Sequence, residues 1–388
     1  MLKNVNRLIC RNAVWIEGTH VGEFESFELQ ADSRTLGDKA TLVLPLYAVG
    51  ISRNNEQGAR RRMRDVFNRS IIKPSAYVEV FCWYDGYEAI RVFAGFIEHI
   101  QEGFPTKLHL MDNAFILRFG EIKTAWNDLA TLQRIVQDVI PVAQEAFMHE
   151  REKVGLPRTL PLHAGMQRVE PYLYYDTGPH NVQALTSPMS FRNFGAFSPY
   201  DVIQRLMNLL LLHGGVTKDF GVFVGADIED ANRPIIHLDT RLNVIDREIV
   251  PVDGRFIDYE VTVSGTMRDG KQKTVSTSGG FKPTEVQRNQ NDFERTHSET
   301  VRRYSTLDTE EELKAFANRL LRMLKQMRNK GKITLLLYPK VDVLDVCRYT
   351  DSLFPELSAQ YMIINYTFKA SEKGYFQTLE VTDKVIDL

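Results

Sequence analysis

The sequence predicts a β-rich α+β protein: two similar antiparallel β-barrel domains with an α-containing insertion between them. Three observations carry that expectation. Short alternating apolar runs crowd both ends of the 388-residue chain, the period lengthens to that of helices in the middle, and one hairpin is written twice. In the first copy, Gly103-Phe104-Pro105-Thr106-Lys107-Leu108-His109-Leu110-Met111-Asp112 closes a turn and leaves as an alternating strand. In the second, Gly374-Tyr375-Phe376-Gln377-Thr378-Leu379-Glu380-Val381-Thr382-Asp383 keeps the same internal spacing. Each has a Gly free to take positive φ, then an aromatic, aliphatic residues two apart, and an Asp two residues further on. With their preceding strands the two hairpins cover residues 90–112 and 361–383.

Residues 1–123 form the first predicted barrel. Ala13-Val14-Trp15-Ile16, Phe24-Glu25-Ser26-Phe27-Glu28-Leu29 and Ala40-Thr41-Leu42-Val43-Leu44 are short strands, parted by turn material at Gly18, Gly22 and Asp32-Ser33-Arg34. A polar stretch, 52–70, carries the basic run Ala59-Arg60-Arg61-Arg62-Met63-Arg64-Asp65. Alternation returns over 76–83, Asp85-Gly86 makes a tight turn, and 90–100 is the answering strand. Within it, Ala94-Gly95 signals a bulge or the close approach of another backbone.

Residues 124–235 read as the inserted domain. Asn127 or Asp128 caps a helix with the apolar face Leu129, Leu132, Ile135, Val136, Val139 and Ile140, which Pro141 kinks or ends. A Pro- and aromatic-rich section follows, and Ser198-Pro199 opens a second helix that runs through Leu212 to a stop at Gly214-Gly215. Residues 236–388 form the second barrel. Strands are expected at 235–238 and 256–263, and a mobile loop or partner-ordered arm over the polar stretch 270–298. The capping box Thr309-Glu310-Glu311-Glu312 then starts a helix over 309–329, and strands at 332–337, 361–368 and 375–381 complete the unit.

Composition excludes several functions. A formal net charge of -2 lacks the basic excess of a duplex-binding protein. The first residues lack the apolar core of a signal peptide, and no run approaches a membrane span. Cys10, Cys82 and Cys347 are too scattered for a disulfide framework or thiolate zinc site, and read as small strand or core residues. There is no HExxH, GxSxG, Walker A or strand-borne GxGxxG pattern. No catalytic, metal or cofactor-binding residue is therefore assigned, and no cofactor is expected.

Asp176-Thr177-Gly178 has the aspartic-protease triplet, but Pro179-His180 follow in a Pro-rich loop, so a turn is the expected reading. A peptide or peptidoglycan hydrolase using Asp176 stands as an alternative. So does a glycan- or protein-binding β module using the aromatics between Tyr172 and Phe197. The acidic run Asp227-Ile228-Glu229-Asp230 lacks EF-hand spacing and reads as a solvated loop. Arg60, Arg61, Arg62 and Arg64 are candidate protein-interface or channel contacts; otherwise they are a solvated charge run.

In its order of parts the chain resembles the baseplate hub family of contractile phage tails and related injection machines, including the hub portion of the type VI secretion spike protein. The residues that carry the resemblance are 92–100 with Leu108-His109-Leu110-Met111-Asp112, the helix at 313–324 leading into Gly331-Lys332-Ile333-Thr334-Leu335 and Tyr338-Pro339, and the closing hairpin at 361–368 and 374–381. Residues 124–235 take little part. The polar stretch 270–298 is long for the family, and Val341 to Asp345 carries no Gly where many relatives have one. The resemblance implies a homotrimeric, non-enzymatic ring with two similar barrels per subunit, adapting a sixfold tail tube to a threefold spike or cell-puncturing protein. It also implies a channel for tape-measure protein or DNA, and residence in a virion tail baseplate or injection particle assembled in the bacterial cytoplasm.

Overall fold

The computed structural model describes residues 9–45, 71–101, 105–123, 126–161, 168–176, 182–183, 189–191, 197–227, 235–251, 257–267, 269–279, 297–305, 307, 309–326, 329–337 and 341–383. The first part contributes β1 (Cys10–Ile16), β2 (Thr19–Gly22), β3 (Ser26–Asp32), β4 (Lys39–Leu44), β5 (Tyr77–Tyr84), β6 (Ile90–Gln101) and β7 (Thr106–Asp112), closed by a 3-10 turn at Asn113–Arg118. The middle holds β8 (Trp126–Ala130), α1 (Leu132–Lys153), the short strands β9 (Leu160–Pro161), β10 (Arg168–Val169), β11 (Tyr174–Tyr175), β12 (Val182–Gln183) and β13 (Met189–Phe191), then α2 (Pro199–Leu210), β14 (His213–Val216) and β15 (Gly221–Asp227). The last part is β16 (Ile235–Asp239), β17 (Val244–Pro251), β18 (Ile257–Thr266), β19 (Gln272–Gly279), β20 (His297–Ser305), α3 (Glu310–Gln326), β21 (Asn329–Leu336), β22 (Val346–Thr350), β23 (Ala359–Ser371) and β24 (Gly374–Asp383).

Both predicted hairpins form, β6 with β7 and β23 with β24. They belong to one 13-stranded sheet with the backbone order β17-β21-β24-β23-β3-β4-β7-β6-β5-β1-β2, to which β22 and β16 add beside β23. The mostly antiparallel class is the one the sequence predicts. Among the described residues, however, the hydrogen bonding does not close either half into a barrel; the halves meet edge to edge at β3 and β23. A shared apolar core runs beneath both, from Val14, Leu42 and Leu108 to Ile333, Ile363 and Leu379.

A second core covers the other face of β5 to β7. Tyr77, Phe96 and Met111 pack there with Ile135, Val139, Ala143 and Phe147 of α1, and the Phe96 and Phe147 rings meet edge-on at 4.9 Å. This is why β6 is apolar on consecutive positions rather than alternating. It also explains why α1 continues through Pro141 to Lys153. Proline in a helix interior costs about 3 kcal/mol, and the burial of Ala143 and Phe147 beyond it outweighs that. The helix starts later than predicted: Trp126 to Ala130 is a strand, and Thr131 is the cap, accepting from Arg134 N at 3.2 Å.

Ser198 caps α2 as predicted, accepting from Asp201 N at 3.1 Å. Its end differs. Leu211 takes the left-handed conformation, and Gly214 and Gly215 lie inside β14, where a Cβ on Gly215 would sit 2.9 Å from the Phe223 ring. The expected mobile loop at 270–298 also needs correction. Residues 272–279 are a strand in the three-stranded sheet β19-β18-β20, with Val261, Val263 and Val275 buried against Leu313, Phe316 and Ala317 of α3. Its polar sequence belongs to a one-sided sheet, with hydroxyl pairs such as Thr262–Ser276 at 3.2 Å on the exposed side. His297 and Ser298 open β20, and 280–296 lie outside the described residues.

Candidate functional site

The functional geometry lies in how the halves repeat and where they join. The strands β3, β4, β5, β6 and β7 have counterparts in β17, β21, β22, β23 and β24, in the same chain order and with the same neighbours. Pairing β7 with β24 as the sequence repeat dictates, Leu110 matches Val381. Leu110 faces Ala40 and Val381 faces Gly331; one strand further out these face Leu29 and Ile249. Both hairpins carry a bulge at the same place, at Glu98 between Ile97 and His99 and at Ile364 between Ile363 and Asn365.

The turns entering β5 and β22 match hydrogen bond for hydrogen bond. Ser75 N donates to Ile97 O at 2.8 Å and Leu344 N to Ile363 O at 2.7 Å; Ile97 N donates to Ala76 O and Ile363 N to Asp345 O, both at 3.0 Å. Ser75 and Leu344 take φ of 65° and 67°, the left-handed region that costs a non-Gly residue about 1 kcal/mol or more. Two unrelated side chains bearing the same backbone strain at matching positions mark one architecture built twice. The copies diverge at their flanks: β1 pairs β5 antiparallel, whereas β16 pairs β22 parallel.

The halves are joined where β23 outruns β22. From Asn365 to Ser371 its free side takes β3, in the register Asn365–Asp32 to Ser371–Ser26. The joint is buried around Phe27, whose ring lies 5.9 Å from Phe93 and 6.1 Å from Phe368. Above it is a cavity of about 160 Å³ lined by Asp32, Asp38, Asp112, Asp342, Lys218 and Tyr366. Asp112 N donates to Asp38 O at 3.0 Å, Asp112 Oδ1 accepts from Ala114 N at 3.0 Å, and Tyr366 OH donates to Asp342 at 3.2 Å. Burial pushes the Asp112 carboxyl up to about 7 against the pull of the Asp38 and Ala114 amides and Arg118. Asp38 is raised for the same first reason and by the neighbouring Asp112 charge.

The far edge, β17, pairs with β21 and with no other strand among the described residues. Beside it the buried Asp351 accepts from Leu353 N at 2.8 Å and Phe354 N at 2.9 Å, takes the Tyr349 hydroxyl at 2.7 Å and forms an ion pair with Arg247 of β17. Desolvation alone would raise this carboxyl. The amides, Tyr349 and Arg247 outweigh it and hold Asp351 below the usual carboxylate range. The outcome is a hydrogen-bonded loop that displays Leu353 and Phe354 outward, with the Arg247 guanidinium 4.9 Å from the Phe354 ring centre.

The sequence-predicted contacts Arg60, Arg61, Arg62 and Arg64 lie outside the described residues. Asp176 follows β11, its amide bonded to Val222 O at 2.8 Å and its carboxylate against Gly221, where a Cβ would fall 2.7 Å from Oδ2; Thr177 and Gly178 lie outside the described residues. Tyr172 and Tyr174 are exposed, whereas Phe197 packs under Arg205 at 3.7 Å. Asp227 ends β15 and the rest of its acidic run is not described. The three cysteines sit in β1, β5 and β22, the latter two buried. Among the described residues no group of three His, Cys, Asp or Glu side chains is placed to hold a metal ion, and no helix is long and apolar enough to cross a membrane. Sequence reasoning missed β17 and the Asp351 loop. The signal available was the exposed pair Leu353-Phe354 behind an Asp that can cap them.

No protein-family model matches the chain, and no curated protein matches it by sequence. Solved structures do. The tail protein of Neisseria meningitidis MC58 is similar at a TM-score of 0.59 and 14% identity, over 97% of each chain. The 43 kDa tail protein of prophage MuSo2 from Shewanella oneidensis is similar at 0.56 and 12%, over 96% of this chain and 98% of that one. Prophage tail protein gp18 of Listeria monocytogenes is similar at 0.50 and 9%, over 96% and 94%. The chain therefore has a phage tail protein fold along nearly its whole length. The resemblance read from the order of parts, the two hairpins and the helix leading into Gly331 is matched by this fold.

Proposed function

We propose that the chain is the structural hub of a phage tail or phage-like contractile injection machine, a homotrimeric ring that adapts a sixfold tail tube to a threefold spike. The observation that carries the reading is the register-matched repeat, down to the left-handed Ser75 and Leu344. Two quasi-equivalent units per chain turn three subunits into six comparable surfaces, as an adaptor between such symmetries requires. On this reading each half curls into a barrel-like unit, 1–123 and 236–388, with 124–235 set between them. The axial channel passes tape-measure protein or DNA, and the arginines at 60, 61, 62 and 64 face that channel or a partner. The ring assembles in the bacterial cytoplasm and stays in the tail baseplate. No chemistry is required of it, and the tail-protein fold of its neighbours supports a structural role.

Light-scattering mass measurement tests this directly. The expected species has about three times the 44.6 kDa chain mass and an annular outline by negative-stain microscopy. A stable monomer at high concentration overturns the proposal.

A further inference from the structure

We propose that the open edge of β17 is the docking site for a second copy of this chain, which offers the end of its β6 beyond Ile97, so that copies join head to tail through a replica of the β3–β23 joint. The inference rests on the ring reading and names the surfaces that would build it. β17 is the counterpart of β3, and β6 of β23. In the chain itself, β3 occupies the side of β23 that β22 leaves free after Ile363, and Ser33 N donates to Ile364 O at 3.1 Å. Among the described residues the same side of β6 is left free, because β5 and its entering turn end their bonding at Ile97. One molecule thus carries both halves of a joint it has already made once. Geometry prevents it from making the second with itself, since β17 and the β6 end flank opposite sides of the joined sheet.

The surface around β17 argues independently for a cover. Leu242 (81% exposed), Leu353 (76%), Ile245 (53%) and Phe354 (47%) ring this edge. They are held there by the Asp351 bonds described above and by Thr240–Ser352 at 3.1 Å. Apolar side chains pinned outward beside an edge strand are a liability in a monomer. A bulge at Ile245 and the amide-less Pro251 bracket the strand, which restricts where a partner strand can pair. The joint is heterologous, so it closes only as a ring.

The register follows from the repeat. Val250 takes the place of Gln30 and Gln101 that of Thr367, so Val250 of one copy faces Gln101 of the next as Gln30 faces Thr367. Counting from the Ser33–Ile364 bond, this is a non-hydrogen-bonded pair, the closer kind, and suits a disulfide. The test combines Val250→Cys with Gln101→Cys in a Cys10→Ser background. Mild oxidation is expected to give a covalent species of the full ring mass, and neither single variant should. Separately, Ile245→Asp with Leu353→Asp, both at exposed positions, is expected to keep the circular dichroism spectrum and weaken association by about tenfold or more. A parent that forms the ring while the cysteine pair stays uncrosslinked and the aspartate variant still assembles overturns this joint and leaves the ring reading standing. A monomeric parent overturns both.

Discussion

The two halves of the sheet share their wiring and differ in what covers it. In the first, Phe96 lies under α1 against Phe147 and Tyr77. Its counterpart, Met362, sits in a small cluster with Phe223 and Leu344. The position before it is Gly95 in one half and the buried Tyr361 in the other. Backbone hydrogen bonds and inward alternation are thus kept while side chains are exchanged. Register depends on which face is buried, whereas the identity of a buried residue depends only on the volume its local neighbours leave.

The largest expected difference between the halves comes from Arg151, which supports the first alone. It is fully buried at the end of α1 and reaches the β1–β2 turn, with Nη1 and Nη2 on the two Glu17 carboxylate oxygens at 3.0 and 3.1 Å and Nη1 on Ser75 O at 2.6 Å. Glu17 Oε1 in turn accepts from Tyr77 N at 2.7 Å. Arg151→Met strands a buried carboxylate, so it should cost about 3–5 kcal/mol in urea unfolding. A loss near zero would mean that the first half stands without its helix.

The next effect is a pH dependence. The Asp112 carboxyl is raised to about 7 from an unfolded value near ~3.9, so folding favours its protonated form. Its contribution is fully present below the unfolded value and is lost as pH rises through about 7. The loss is at most about 4 kcal/mol, since one pKa unit corresponds to about 1.4 kcal/mol. Asp112→Asn keeps an oxygen for the Ala114 amide and cannot ionise. Its stability should fall less than the parent's between pH 5 and pH 8; parallel profiles would remove Asp112 as the cause.

Much of this was legible in the sequence, and the rest was hidden for identifiable reasons. Both hairpins, the Ser198 cap, the Thr309 cap of α3, bonded to Glu312 N at 3.3 Å, and the close approach at Gly95 follow from local residue chemistry. The Trp126 to Ala130 strand did not, because its partner, Met189–Phe191, lies far along the chain and propensity yields to tertiary pairing. β19 was missed although its partner β18 is next to it in the chain, because its Ser- and Thr-rich residues bury little beyond Val275. The repeat of the β5 and β22 turns was invisible for a different reason. Lys73-Pro74-Ser75-Ala76 and Asp342-Val343-Leu344-Asp345 share a backbone path and no residue. The joining edges were hidden too, because an edge is defined by the strand that is missing beside it.

The smallest effect separates the halves at a single matched position. A Cβ on Gly95 would lie 2.2 Å from Met111 O and 2.7 Å from the Asp112 Cα, and these are backbone atoms of the paired strand that no rotamer change can move. Gly95→Ala should therefore cost about 3 kcal/mol by overpacking, read as a lower urea midpoint. Its counterpart Tyr361 instead fills its space, and its hydroxyl donates to Leu357 O at 2.9 Å. Tyr361→Phe should cost only about 1 kcal/mol, the net value of one such bond. Equal losses at the two sites would mean that the covers are as alike as the wiring. A difference of this size would locate the divergence between the halves in side-chain packing, with the duplicated backbone left intact.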